Sequence, residues 1–196
     1  MLSKRYQQGF KLKKLFFLLC ICFCVTLWDS WSEADETHAY GKYWNKAMTL
    51  HKQKRHKEAE RMFSVAISKY PNVAKFHLMR AKFRHLYMGK YHDAISGYSV
   101  VIKIAPKSYP EAYWWRGVCL DKFGLYERAI RDYSNALLIK RKWGKVHLLR
   151  AKAYAKLGMI EKAKNDLKAV AKYNPKFTTK AARNLLKKFL EGRRDF

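Results

Sequence analysis

Acidic residues are scarce in this chain of 196 residues. Fifteen Asp and Glu face 42 Lys and Arg, for a net charge of +27. A surface this basic stays soluble, repels copies of itself and attracts anionic partners. Charge alone does not choose among nucleic acid, anionic lipid and acidic protein segments. Proline and glycine are also few, at four and nine, which excludes a fibrous or loop-dominated chain. Motifs that carry chemistry are missing too: no His-Glu-x-x-His, no Cys-x-x-Cys and no Gly-rich phosphate loop occurs. The seven His are scattered. His51 and His56 are five apart and are expected not to share a helix face. His77 and His147 occupy the same place in two similar strings, "KFHLMRAK" and "KVHLLRAK", so repetition explains them better than metal binding. Glu127, Arg128 and Asp132 read as solvated i,i+4 pairing on a helix. These absences point away from an enzyme, and no cofactor, metal or small-molecule substrate is implied.

No apolar run reaches the roughly 20 residues that cross a bilayer comfortably. The longest uncharged stretch, Leu15 to Trp28, has 14. Its setting is informative. Lys4, Arg5, Lys11, Lys13 and Lys14 precede it, and Asp29, Glu33, Asp35 and Glu36 follow. Basic, apolar, then polar is the order of a secretory signal. Ser32 and Ala34 suit a cut after Ala34; an uncleaved anchor that holds residues 15–28 in a membrane is the alternative. In both cases the basic flank stays inside and the remainder is exported. Three of the four cysteines, Cys20, Cys22 and Cys24, lie in this run behind Leu19, Ile21 and Phe23. None of those is the small residue that lipidation needs, so the three read as apolar filler. Cys119 alone remains in a processed chain and forms no internal disulfide.

Apolar residues make up 49% of the chain, enough for a core, and they recur with a period. An Arg–small pair appears in "LMRAK", "WWRGV" and "LLRAK". Its small residue falls at Ala81, Gly117 and Ala151, and Ala47 extends the series upstream. A second small residue recurs at Ala59, Ala94, Ala129 and Ala163, a large one at Phe63, Tyr98, Tyr133 and Leu167, and proline at Pro71, Pro106 and Pro175. The spacing of 34 to 36 residues is the period of a solenoid. Small residues let two helices approach, apolar residues at i, i+3, i+4 and i+7 build a buried stripe, and the glycines of "MGKYHDA", "FGLYERA" and "LGMIEKA" permit the left-handed end of a first helix.

This pattern resembles the tetratricopeptide repeat. The third unit, "PEAYWWRGVCLDKFGLYERAIRDYSNALLIK", fits best. The resemblance implies an all-α solenoid of four helix–turn–helix hairpins at 40–73, 74–108, 110–143 and 144–176. A signal or anchor (1–34) and a linker (35–39) precede it, and a capping helix with a basic tail (177–196) follows. One extra residue between Ala81 and Ala94 is expected to loosen the turn of the second unit.

The resemblance also implies function. Similar proteins bind peptides or partner domains in a groove lined by the first helices. Carried over by position, the groove takes Trp44, Met48, His51 and Lys52 from the first unit. The second gives Lys75, Leu78, Lys82 and His85, and the third Glu111, Trp114, Val118, Asp121 and Lys122. The fourth gives Lys145, Leu148, Lys152 and Lys156. Trp115 is assigned to packing instead. Met48, Lys82, Val118 and Lys152 stand where some relatives carry the Asn that clamps a C-terminal carboxylate, so that ligand class is not expected. The implied protein is an exported scaffold with a basic groove for an acidic protein or peptide. The alternative is charge-driven binding to an anionic surface, whether membrane or nucleic acid. The export signal and the lack of a base-stacking motif argue against nucleic acid.

Overall fold

The computed structural model describes residues 40–173 and Asn184. The expected leader, linker and most of the capping helix lie outside the described residues. Residues up to Lys46 and residues from Ala47 onward form two units, each described on its own. In the first, Tyr40 and Trp44 stack with ring centroids 6.2 Å apart.

Eight helices occur among the described residues, and no strand. They are α1 (40–52), α2 (His56–Lys69), α3 (Ala74–Leu86), α4 (Tyr91–Ile104), α5 (Pro110–Lys122), α6 (Tyr126–Ile139), α7 (Gly144–Lys156) and α8 (Ile160–Tyr173). None is long and apolar enough to cross a membrane. The chain is the expected all-α solenoid. Helices α3 and α4, α5 and α6, and α7 and α8 pair as hairpins, and each hairpin packs on the one before through α2–α3, α4–α5 and α6–α7.

No side chain caps the N-terminus of helices α2 to α7. Dipole complementarity takes part of that role: Glu58, Asp93, Glu111, Glu127 and Glu161 stand in first turns. Tertiary packing supplies the rest. The periodic alanines Ala59, Ala94, Ala129 and Ala163 are fully buried, as are Phe63, Tyr98 and Tyr133, with Leu167 nearly so. Close approach explains the small residues. A Cβ on Gly117 would lie 2.7 Å from the Tyr133 ring, and one on Gly97 would lie 2.8 Å from Cβ of Ala81.

Three hairpin turns close alike. The N–H of Arg55, Leu125 and Met159 donates to the carbonyl five residues back, on Leu50, Leu120 and Tyr154. This is the 6→1 bond of a Schellman ending. In the second unit Lys90 reaches back six residues, to Arg84 at 2.8 Å. The extra residue is absorbed there as a wider turn.

Candidate interaction surface

First helices of successive hairpins touch, α3 with α5 and α5 with α7. No comparable contact joins α4 to α6 or α6 to α8 among the described residues. The stack is tighter on the first-helix side, which makes it the inner side of helices α3 to α8.

Arginine holds these helices in place. Arg116 donates to both carboxylate oxygens of Asp132 at 2.8 and 2.7 Å and to Ser99 Oγ at 2.9 Å. Arg150 repeats the arrangement with Asp166, 2.7 Å to each oxygen, and with Ser134 Oγ at 2.9 Å. Each guanidinium thus ties a first helix to its own second helix and to the second helix of the preceding hairpin. The reading of Asp132 as solvated is corrected: it is buried and bound to Arg116, because α5 of the same hairpin covers that face of α6. His147 lies beside the same carboxylate, with Nδ1 2.8 Å from Asp166 and its Nε2–H donating to the Arg141 carbonyl at 3.0 Å. Burial pushes the Asp166 carboxyl up, but hydrogen bonds from Arg150 and His147 outweigh it and hold the group below its ordinary range.

In the second unit Gly97 stands where Asp132 and Asp166 stand in the others. Arg80 therefore hydrogen-bonds no carboxylate across its hairpin; it reaches Ser64 Oγ at 3.5 Å and feels Glu60 and Asp93 only through space. Arg84 binds Glu60 instead, at 2.8 Å. His77 donates from Nε2 to the Pro71 carbonyl at 2.8 Å, and its buried Nδ1 has no partner. Burial, opposed by the Pro71 bond and aided by Arg80, lowers the His77 pKa.

Two groups of groove candidates come together. Lys145 places Nζ 4.8 Å from the Trp114 ring centroid, within cation–π range. Trp114 stacks on Trp115 at 4.1 Å and meets Trp143 edge-on at 5.1 Å, and Lys140 covers Trp143 at 4.8 Å. Lys152 and Lys156 gather at Asp121, one of the two acidic groove candidates beside Glu111. Burial raises the Asp121 carboxyl, while the two lysines and the Tyr133 hydroxyl pull it down.

The remaining candidates are spread out. Lys52, Lys75 and Lys122 are exposed and Lys82 is half-buried. Leu78 and His85 are buried and do not line an open groove. His85 keeps the helical position that Ala155, also buried, takes in the fourth unit, and it lies against Trp115 at 5.3 Å. Trp115 packs in the core. His51 is half-buried, and here the geometry departs from expectation. It meets His56 across the first turn, Nδ1 to Nδ1 at 3.2 Å, because the two belong to different helices rather than to one helix face. Phe83 and Tyr87 enclose the pair, with ring centroids 5.1 and 5.2 Å from His51. Trp44 belongs to the other unit. Among the described residues no three metal-ligating side chains cluster. Trp143, Lys140 and the serine partners of the arginines were not singled out from sequence.

Family models described as Tetratricopeptide repeat match residues 43–72, 84–145 and 144–177. Among solved structures, MamA (residues 41 to the end) from Desulfovibrio magneticus RS-1 is similar, with a TM-score of 0.64 and 18% identity over 76% of this chain and 92% of that one. The first repeat domain of Spaghetti (RPAP3), bound to the HSP90 peptide SRMEEVD, gives 0.56 and 24% over 61% and 91%. The Arabidopsis OM64 repeat domain gives 0.55 and 22% over 60% and 94%. No curated relative matches the chain in sequence.

Proposed function

The chain belongs to the tetratricopeptide-repeat family, and from that premise we propose that it is an exported scaffold holding an acidic protein segment against its first helices. A protein-interaction scaffold is what the fold and its neighbours support. The finer reading rests on one observation: Lys145 over Trp114, with Lys152 and Lys156 about two and three turns further along α7. An aromatic face beside cations suits a segment with apolar and carboxylate groups. The repeat domain of Spaghetti holds a peptide containing two Glu and one Asp, so a similar fold accommodates acidic peptides. This chain lacks the asparagine of the C-terminal clamp, and its acidic ligand is read as an internal segment. Export follows from the order of residues 4–36.

The competing reading is diffuse attraction to any anionic surface through +24 on residues 35–196, where 37 basic residues face 13 acidic. Capture of partners by the full chain separates the two. Lys82→Gln with Lys152→Gln removes charge from the first helices without setting a new carboxylate beside Asp121. Partner capture should fall at least ten-fold with helicity unchanged. Lys187→Gln with Lys188→Gln removes equal charge elsewhere and should change capture less than two-fold. Equal losses favour diffuse attraction.

A further inference from the structure

The turns within the hairpins make a second surface, distinct from the first-helix face. Stacked rings join one turn to the next. His56, at the start of α2, stacks on Tyr87 at the end of α3, centroids 4.0 Å apart and planes 14° apart. His92, at the start of α4, stacks on Phe123 after α5 at 4.4 Å and 27°. The first three turns therefore line up along one edge, and the fourth, closed by the same bond as the third, continues the repeat. Along it Leu86, Tyr87, Phe123, Leu125 and Met159 keep between 39% and 46% of their surface in water. The first two turns also carry an exposed lysine each, Lys54 and Lys90, whereas Lys122 and Lys156 end α5 and α7 and stay with the first-helix face. Lys54 sits at φ 61°, the left-handed position that Gly89, Gly124 and Gly158 fill in the other turns. The acids nearby are largely engaged. Glu58 binds Arg55 at 2.6 Å, Glu161 binds Lys164 at 2.9 Å, and Asp121 lies under Lys152 and Lys156. Asp93 and Glu127 are the exposed exceptions.

We infer that this edge docks on an anionic lipid bilayer. Aromatic and aliphatic tips prefer the membrane interface, and a basic residue close to anionic headgroups favours binding about five-fold. Alternating the two along a line gives both contributions to a shallow contact. Contact of this kind leaves the first-helix face open and does not depend on what that face binds.

The test uses the full chain with Cys20, Cys22 and Cys24 changed to Ala. Cys119 is buried and its thiol is pushed up to about 12 by burial, so it resists labelling. A single environment-sensitive fluorophore is attached after Leu125→Cys, Met159→Cys or Leu138→Cys. Leu138 lies on α6 and is 82% exposed. Residues 15–28 are present in every variant, so any tethering they provide is constant. With vesicles of phosphatidylcholine and phosphatidylglycerol, the label should shift to the blue at 125 and 159 and not at 138. Phosphatidylcholine alone should give little shift. Lys54→Gln with Lys90→Gln should weaken the response roughly 25-fold, about five-fold for each charge. An equal shift at 138 would show undirected adsorption, and an equal shift on phosphatidylcholine alone would remove the role of the lysines. No shift on anionic vesicles would leave the edge in water. Each of these results overturns the proposal.

Discussion

Arg150 grips both carboxylate oxygens of Asp166, each at 2.7 Å, from the opposite helix of the same hairpin. Arg80 holds the equivalent place two hairpins earlier, where Gly97 replaces the aspartate and no carboxylate hydrogen-bonds to it. One repeated residue thus has two energetic roles. Removing one partner of a mostly buried pair leaves the other charge uncompensated and costs about 3 kcal/mol. Arg150→Met should cost about that much in chemical denaturation. Arg80→Met deletes a half-buried cation that hydrogen-bonds no carboxylate and feels Glu60 and Asp93 only through space, and should change stability by less than about 1 kcal/mol.

Acid should act on the same pair. The folded-state pKa of Asp166 is depressed, so its contribution is present above the unfolded value, about 3.9, and is lost as pH falls through the folded value. Denaturation midpoints measured from pH 6 to pH 2 should fall for the wild type. Asp166→Asn should be less stable at pH 6 and show a shallower decline in acid. Identical slopes would mean that Asp166 titrates alike in both states.

Gly117 fits only because it lacks a side chain. Its Cβ would stand 2.7 Å from the Tyr133 ring and 3.3 Å from Cβ of Asp132. Gly117→Ala must displace a fully buried tyrosine, at a cost of about 1–3 kcal/mol, and should lower the melting temperature by several degrees. Lys168→Ala, at an exposed position on α8, should lie within about 0.5 kcal/mol of the wild type.

Lys54 is the non-glycine residue among the four left-handed turn positions. A side chain there costs roughly 1 kcal/mol or more. Lys54→Gly should therefore stabilise the fold by up to about 1 kcal/mol, less whatever the unfolded chain gains in freedom. The same substitution should weaken binding to anionic vesicles. Stability and membrane binding would then move in opposite directions at one residue, as expected where strain is kept for function.

The fold was legible because its small residues are periodic, and the reason is steric. Positions such as Ala81 and Gly117 repeat wherever two helices come too close for a larger side chain. The polar ties were written with the same period: Ser64, Ser99 and Ser134 are 35 apart, and Asp132 and Asp166 are 34 apart. They were missed because a polar residue on a second helix looks solvated when that helix is viewed alone. The arginine of the adjacent first helix turns it inward. His51 and His56 were judged as one helix when a turn separates them, and the turn is what brings them together. The groove was legible as a face but not residue by residue. His85 stands at the end of α3, where the fourth unit buries Ala155, and Asp121 draws Lys152 and Lys156 together in a way that no position rule describes.

The central claim is that an acidic protein segment lies against the first helices. A photo-crosslinking residue placed at position 75 or 152, in the full chain and in its own cells, tests this most directly, with positions 131 and 138 on α6 as controls. The account predicts that 75 and 152 give one shared protein adduct, mapped to a segment rich in Asp and Glu, and that 131 and 138 do not give it. Equal adducts from all four positions, or adducts to lipid or nucleic acid at 75 and 152, would contradict it.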